Sequence, residues 1–277
     1  MLLCDFGDAF YELVDLSCHA RQFGQVRFHD QTLLPERAHN LTEMEFVVEQ
    51  RENLPPVVHL TFSDDDGMTT FTDALALAEN AGSDAPIWVH GTTPERRQEL
   101  LDQGLVSNRT LLQMFRELPA APTTVETRAF EDSDISEFVA VNNRAFSWHP
   151  EQSGLTEAAV RGDIAQPWFD YEGFRLHHID EQLAGFCWTR VHEDVSNTPG
   201  NPEPVRVGEI YVIAVDQPFH GRGLGKAMTL AGLEYLASLG ITVGMLYVES
   251  DNEAAVATYE RIGFSVGRTD TLWTRES

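Results

Sequence analysis

The run "HGRGLGK", residues 220 to 226, sets three glycines at alternate positions in front of an apolar helical pattern. Glycine bares the backbone, and N–H groups that converge at a helix start, aided by the helix dipole, bind anions. Spacing excludes two anion loops. A dinucleotide fingerprint counted from Gly221 needs its third glycine at the position of Lys226. The phosphate loop of nucleotide hydrolases needs glycine where His220 stands and Ser or Thr where Ala227 stands. A tight turn whose glycines serve only the turn remains the alternative for the loop taken alone.

The flanks supply the elements that must hold such a loop. "EIYVIAVD" is a β-rich run whose alternate residues Glu209, Tyr211, Ile213 and Val215 share one face. Past the glycines, Leu224, Met228, Ala231, Tyr235 and Leu239 recur at helical steps up to Gly240, a fitting residue just beyond a helix end. A second strand, "GMLYVE", runs into "SDN", and "EAAVATYERIG" reads as a second helix capped by Asp251 or Asn252. Tyr259, two turns beyond Asn252, falls on the same helix face.

The chain has 277 residues, enough for two domains. Its 19 Lys and Arg against 44 Asp and Glu give a net charge of −25, which speaks against nucleic acid as a partner. No stretch reaches the ~20 apolar residues of a membrane span, and no positively charged leader opens the chain, so a cytoplasmic protein is expected. The three cysteines, Cys4, Cys18 and Cys187, are scattered, so neither a disulfide framework nor a metal site is expected. Cys187, within "AGFCWT", reads as core.

"PAAPTTVETR" reads as an exposed linker and places a boundary between residues 1–118 and 119–277. A constant shift of 159 residues lays "GLVSNRTLLQMFRE" over "GFSVGRTDTLWTRE" and "IWVH" over "LYVE". Gly104/Gly263, Arg109/Arg268, Thr110/Thr269, Arg116/Arg275 and Glu117/Glu276 coincide without a gap. The expected fold is therefore α+β, two tandem copies of one unit. In the first copy Leu100 stands where Tyr259 does, and "RENLPPVVHLTF" stands where the glycine loop is expected, so that copy is expected to lack the chemistry.

With these residues in hand, the second half resembles the Gcn5-related N-acetyltransferases, the GNAT superfamily. Their pyrophosphate loop, Q/R-x-x-G-x-G/A, is met by Gly223 and Gly225, with His220 replacing the first residue. "NNRAFSWHPEQSG", "PWFD", "GFCWTRVH", "GEIYVIAVD" and "LYVESDNEAAVATYERIGF" follow in the order of a tandem-repeat branch of that superfamily. The resemblance implies two GNAT-like domains, each a mixed, mostly antiparallel sheet flanked by helices. It implies acetyl-CoA as co-substrate, with no metal. Its contacts would be Ile213, Ala214 and Val215 on the strand, His220, Gly221, Arg222, Gly223, Leu224, Gly225 and Lys226 on the loop, and Asn252, Glu253, Ala254, Ala255, Val256 and Ala257 on the second helix.

The implied reaction moves acetyl from a thioester to the cysteinyl amine of cysteinyl-glucosaminyl-inositol. It needs a neutral amine, a stabilised oxyanion and a proton for the leaving thiolate. Glu209 is the expected base, against a reading as an exposed acid at a strand end. Backbone N–H groups from Ile213 to Val215 would hold the oxyanion if the strand splays from its neighbour, and Tyr259 would protonate the thiolate. The resemblance assigns Asp30, Glu151, Arg190, Glu209 and Tyr247 to the acceptor, a small amino-sugar-inositol, with Arg190 where the family usually has Lys. A monomer with one acetyl-CoA site is expected. Two alternatives stay open: an acetyltransferase for peptide N-termini or other small amines, and a non-catalytic acyl-CoA-binding regulator.

Overall fold

The computed structural model describes residues 45–49, 57–61, 86–147 and 154–275, those of 45–49 by backbone alone. In chain order the elements are β1 (Glu45–Glu49), β2 (Val57–Thr61), β3 (Ile87–His90), α1 (Pro94–Asp102), β4 (Leu105–Glu117), β5 (Arg128–Ala129), α2 (Ile135–Ala145) and α3 (Glu157–Ile164). There follow β6 (Phe174–Ile179), β7 (Gln182–Val195), β8 (Val205–Val215), α4 (Leu224–Ser238), β9 (Val243–Glu249), α5 (Glu253–Arg261) and β10 (Ser265–Arg275). Helix starts follow their sequence signals: Thr93 caps α1 by accepting from the Arg96 N–H at 3.3 Å, with Pro94 in the first turn. Two compact units result. Among the described residues, one comprises Met114–Tyr247 and Glu253–Gly267; the other comprises those up to Gln113 with Val248–Asn252 and the stretch from Arg268.

In the first unit, β5, β6, β7 and β8 pair antiparallel in that order, and β8 pairs parallel with β9. This is a mixed sheet flanked by helices, as expected for the α+β class. One face carries an aromatic core: Phe130 stacks on Phe174 at 4.4 Å, and Phe138 meets Phe174 and Phe186 edge-on at 5.0 and 4.9 Å. The other face takes α4, and small residues bring it close. A Cβ on Gly232 would lie 2.5 Å from Cys187 Sγ, and one on Gly208 would lie 2.7 Å from Leu236 Cδ2. Cys187 is core as expected, and burial pushes its thiol up to about 12.

The expected α4 stripe is met at Leu224, Met228 and Ala231, which are buried. Leu239 departs from it: it lies past the helix end and is 39% exposed. Gly240 follows with φ +78°, the left-handed turn its position predicted.

In the second unit β1 and β2 pair antiparallel, β2 and β3 parallel, and β10 runs antiparallel to β3 through Thr271–Val89 to Trp273–Ile87. At its centre His59 Nδ1 lies 3.2 Å from His90 Nε2, and His90 Nδ1 lies 3.0 Å from Asp270 Oδ2. Burial alone would raise the Asp270 carboxyl, but Arg268, His90 and the Gly91 N–H hold it well below the usual carboxylate range.

The bounds of α1 and α5 differ by the same 159 residues as the sequence repeat, and each helix is followed by a glycine of positive φ, Gly104 and Gly263. One expectation is corrected. Val57–Thr61, within "RENLPPVVHLTF", is a strand parallel to β3, as β8 is to β9, so that string does not occupy the place of the glycine loop. The ungapped register cannot extend that far, because connections change length more readily than packed strands.

Candidate active site

Strand β8 parts from β9 half-way along. Their parallel pairing runs from Val207–Val243 to Ile210–Leu246 and stops, while β8 continues to Val215. The departure coincides with a bulge. Trp188 pairs with Val212 and Thr189 with Ile210, leaving Tyr211 as the extra residue on β8. Before the bulge Val207–Ile210 are buried; from Tyr211 to Val215 every residue is half-buried.

The parity of the strand then decides which amides face the opening. The Asp216 N–H donates to Ala184 O of β7 at 3.0 Å, so residues 216, 214 and 212 turn their backbone groups to β7. Ile213 and Val215 turn theirs away from β7, toward the opening. The Val215 carbonyl is taken by His220, whose Nε2–H donates to it at 2.8 Å. Among the described residues, the Ile213 N–H and C=O and the Val215 N–H remain as a ready strand edge.

His220 thereby ties the glycine loop back to the strand it leaves. Gly221 and Gly223 have φ of +77° and +76°, a conformation that disfavours other residues. Gly223 caps α4 without a side chain, and the first helical bond is Ala227 N to Gly223 O, so the N–H groups of Leu224, Gly225 and Lys226 receive no capping acceptor from a side chain at the cap. Gly225 needs no positive φ, and a Cβ there would meet nothing within 4 Å. These bare amides with Arg222 and Lys226 nearby fit an anionic group such as a pyrophosphate.

Asp216 closes the end of β8. It accepts two bonds from Arg144 of α2, at 3.1 and 2.7 Å, and caps the short turn Gln217–Phe219. Arg144 holds the Asp216 carboxyl below its usual range.

Glu209 corrects the alternative of an exposed acid at a strand end. It lies in mid-strand, 1% exposed, with Oε2 2.7 Å from His192 Nε2. Across β7 and β8 it pairs directly with Arg190. Arg190 lies over Trp168, its guanidinium carbon 4.3 Å from the ring centre, and 5.8 Å from that of Tyr211. Glu209 pairs on its other side with Met245, and Tyr247 lies two residues further along β9, on the same face. Glu209, Arg190, Tyr211 and Tyr247 thus share the sheet face opposite α4, since Gly208 and Ile210, between them, meet α4.

Tyr259 stands on α5 with its ring edge to Phe264 at 6.0 Å. Burial pushes its phenol up to about 12, and among the described residues its hydroxyl has no hydrogen-bond partner. Of the helix residues expected at acetyl-CoA, Glu253 and Ala254 are exposed and Ala255, Val256 and Ala257 half-buried in the first turns of α5. Asn252 falls in the second unit, its N–H bonded to Glu249 O. Asp30 and Glu151 lie outside the described residues. Among the described residues no three His, Cys, Asp or Glu are placed to hold a metal, and no helix is long and apolar enough to cross a membrane.

Sequence reasoning missed His192, Trp168 and the Arg144–Asp216 pair. Only His192 left a local signal: in "TRVH" it lies two residues from Arg190, hence on the same face of a strand.

Residues 130–264 match the acetyltransferase (GNAT) family. A mycothiol acetyltransferase of Amycolatopsis mediterranei (strain U-32) is 43% identical over 208 residues, 72% of this chain and 68% of the relative. The chain belongs to the mycothiol acetyltransferase family. Members of this family are acetyltransferases of the GNAT fold, a group that uses acetyl-CoA, and the fold likeness reaches solved structures. A GCN5-related N-acetyltransferase from Sphaerobacter thermophilus has a TM-score of 0.65 at 16% identity, covering 84% of this chain and 76% of that one. A tandem GNAT protein from the clavulanic acid biosynthesis pathway has a TM-score of 0.50 at 16% identity, over 84% of this chain and 79% of that one.

Proposed function

We propose that this chain moves acetyl from acetyl-CoA to the cysteinyl amine of cysteinyl-glucosaminyl-inositol, forming mycothiol. The observation that carries the reading is the parting of β8 from β9 beyond Ile210–Leu246, with a helix start of bare amides at one end and buried Glu209 beside it.

Acetyl-CoA supplies the activated acetyl thioester. The amides of Gly223, Leu224, Gly225 and Lys226 would hold its pyrophosphate, with His220, Gly221 and Arg222 shaping the loop. Ile213, Ala214 and Val215 would take its arm as an added strand, and Asn252, Glu253, Ala254, Ala255, Val256 and Ala257 would flank it. The Ile213 and Val215 N–H groups face the opening and offer donors to a carbonyl oxygen gaining charge.

Glu209 takes a proton from the acceptor ammonium, whose pKa of ~7.7–8 leaves much of it charged at neutral pH. At 1% exposure, Glu209 is better placed to act through a water than by direct contact. Tyr259, kept protonated by its raised pKa of about 12, gives its hydroxyl proton to the departing thiolate. Arg190 and Tyr247 join Glu209 on the acceptor face, and Asp30 and Glu151 complete the acceptor set.

Under the same reading the chain is a tandem duplication with domains 1–118 and 119–277. The common offset of α1 and α5 supports it, as does the likeness to a tandem GNAT protein. Leu100, buried where Tyr259 stands, supports a first copy without catalysis. The protein would be a cytoplasmic monomer with a small acceptor; its charge of −25 disfavours phosphate-rich partners.

The test is an initial-rate assay with acetyl-CoA and a panel holding this sugar amine and peptide N-termini. Turnover of the sugar amine in preference to peptides is expected. Turnover of peptides with none of the sugar amine would move the assignment to a peptide acetyltransferase.

A further inference from the structure

We infer that His192 is a positioning residue for the reaction: it holds the Glu209 carboxylate in one orientation for proton transfer. The inference rests on the reading of Glu209 as base. His192 is on β7, 6% exposed, and its Nε2 lies 2.7 Å from Glu209 Oε2. An ionised carboxylate only accepts, so the hydrogen of this bond sits on Nε2 of His192.

Among the described residues the groups facing Glu209 can be named by register. From β7 they are His192 and Arg190, from β8 Tyr211, and from β9 Tyr247, two residues beyond Met245; β4 contributes apolar Phe115 to this face. Arg190, the one full cation among them, lies over Trp168. His192 donates to Oε2 of the carboxylate at 2.7 Å. In the step itself the N–H bond of the acceptor ammonium breaks, with or without a relaying water, and an O–H bond forms at Glu209. His192 moves no proton.

The imidazole is also well fixed. The cross-strand partner of His192 is Val207, two residues before Glu209, so the bond runs diagonally across the paired stretch from Thr189–Ile210 to His192–Val207. A misplacement of about 1 Å in such a geometry can cost about 100-fold in rate.

The test compares His192→Gln, His192→Phe and Glu209→Gln in the full chain, by kcat and KM for the amine from pH 6 to 10, acetyl-CoA affinity by calorimetry, and thermal melting. Glutamine keeps a side-chain N–H donor at similar reach; phenylalanine keeps the ring and loses the donor. His192→Phe is expected to lower kcat about 10- to 100-fold at neutral pH and to leave acetyl-CoA affinity within about twofold. His192→Gln is expected to recover most of the rate. Equal losses of kcat in both variants would mean a packing role only and overturn the proposal, as would an unchanged kcat in His192→Phe. If Glu209→Gln is impaired and His192→Phe is not, the base stands and His192 falls. If Glu209→Gln itself is unimpaired, the base reading fails, and the role of His192 with it.

Discussion

Arg144 grips Asp216 through two nitrogen–oxygen contacts, 3.1 and 2.7 Å long, at the residue where β8 hands over to the glycine loop. Asp216 is buried and its carboxyl is held below the ordinary range, chiefly by Arg144, so this contact ties α2 to the end of the opening. A depressed carboxylate stabilises the fold above its unfolded pKa of ~3.9, and that contribution is lost as pH falls through the folded value. Asp216→Asn should therefore cost about 1.5–3 kcal/mol at pH 7, with the gap to wild type closing below about pH 4. Chemical denaturation at pH 7 and pH 3.5 measures this; an equal gap at both would contradict it.

Tyr259 should act as an acid without titrating in the working range. Its phenol is pushed up to about 12, so it stays protonated well above pH 9. Tyr259→Phe should lower kcat about 100-fold and change the KM for acetyl-CoA little. Steady-state kinetics would show it, and an unaltered kcat would return Tyr259 to a packing role against Phe264.

Gly225 separates ligand approach from fold. A Cβ at Gly225 meets nothing within 4 Å, and the same holds for Gly162 in α3. Alanine at either should stabilise the chain by about 0.5–1 kcal/mol through helix propensity. Only Gly225→Ala should also weaken acetyl-CoA binding, by about tenfold or more, because its N–H must approach an anion closely. Melting curves and calorimetry on the two variants decide it, and unchanged affinity in Gly225→Ala removes the loop from the site.

One acetyl-CoA should bind per chain. The first copy has buried Leu100 at the place of Tyr259. Calorimetric titration should give a stoichiometry of one, and two equivalent sites would contradict an inactive first copy.

Local pattern made the strand, loop and helix around "HGRGLGK" legible, because periodicity and glycine punctuation are short-range signals. The 159-residue shift did the same for α1 and α5. What could not be read was pairing between distant segments. Glu209 gave no sign of burial, since only the β7 register sets it against Arg190 and beside His192. The bulge at Tyr211 and the parting at Ile210–Leu246 depend on two neighbouring strands at once, which "EIYVIAVD" alone does not encode. Leu239 fits the helical stripe but falls past the helix end, where the chain turns at Gly240. The string "RENLPPVVHLTF" misled because a constant shift assumes equal connections, and β2 shows they are unequal.

Glu209 as the acceptor of the amine proton is tested most directly by the pH dependence of kcat/KM for the sugar amine in wild type and Glu209→Gln. The variant should be slower by about 100- to 10,000-fold at pH 7, with the gap narrowing above pH ~8, where the amine is already neutral. A gap that stays constant across the pH range, or no gap at all, would contradict it.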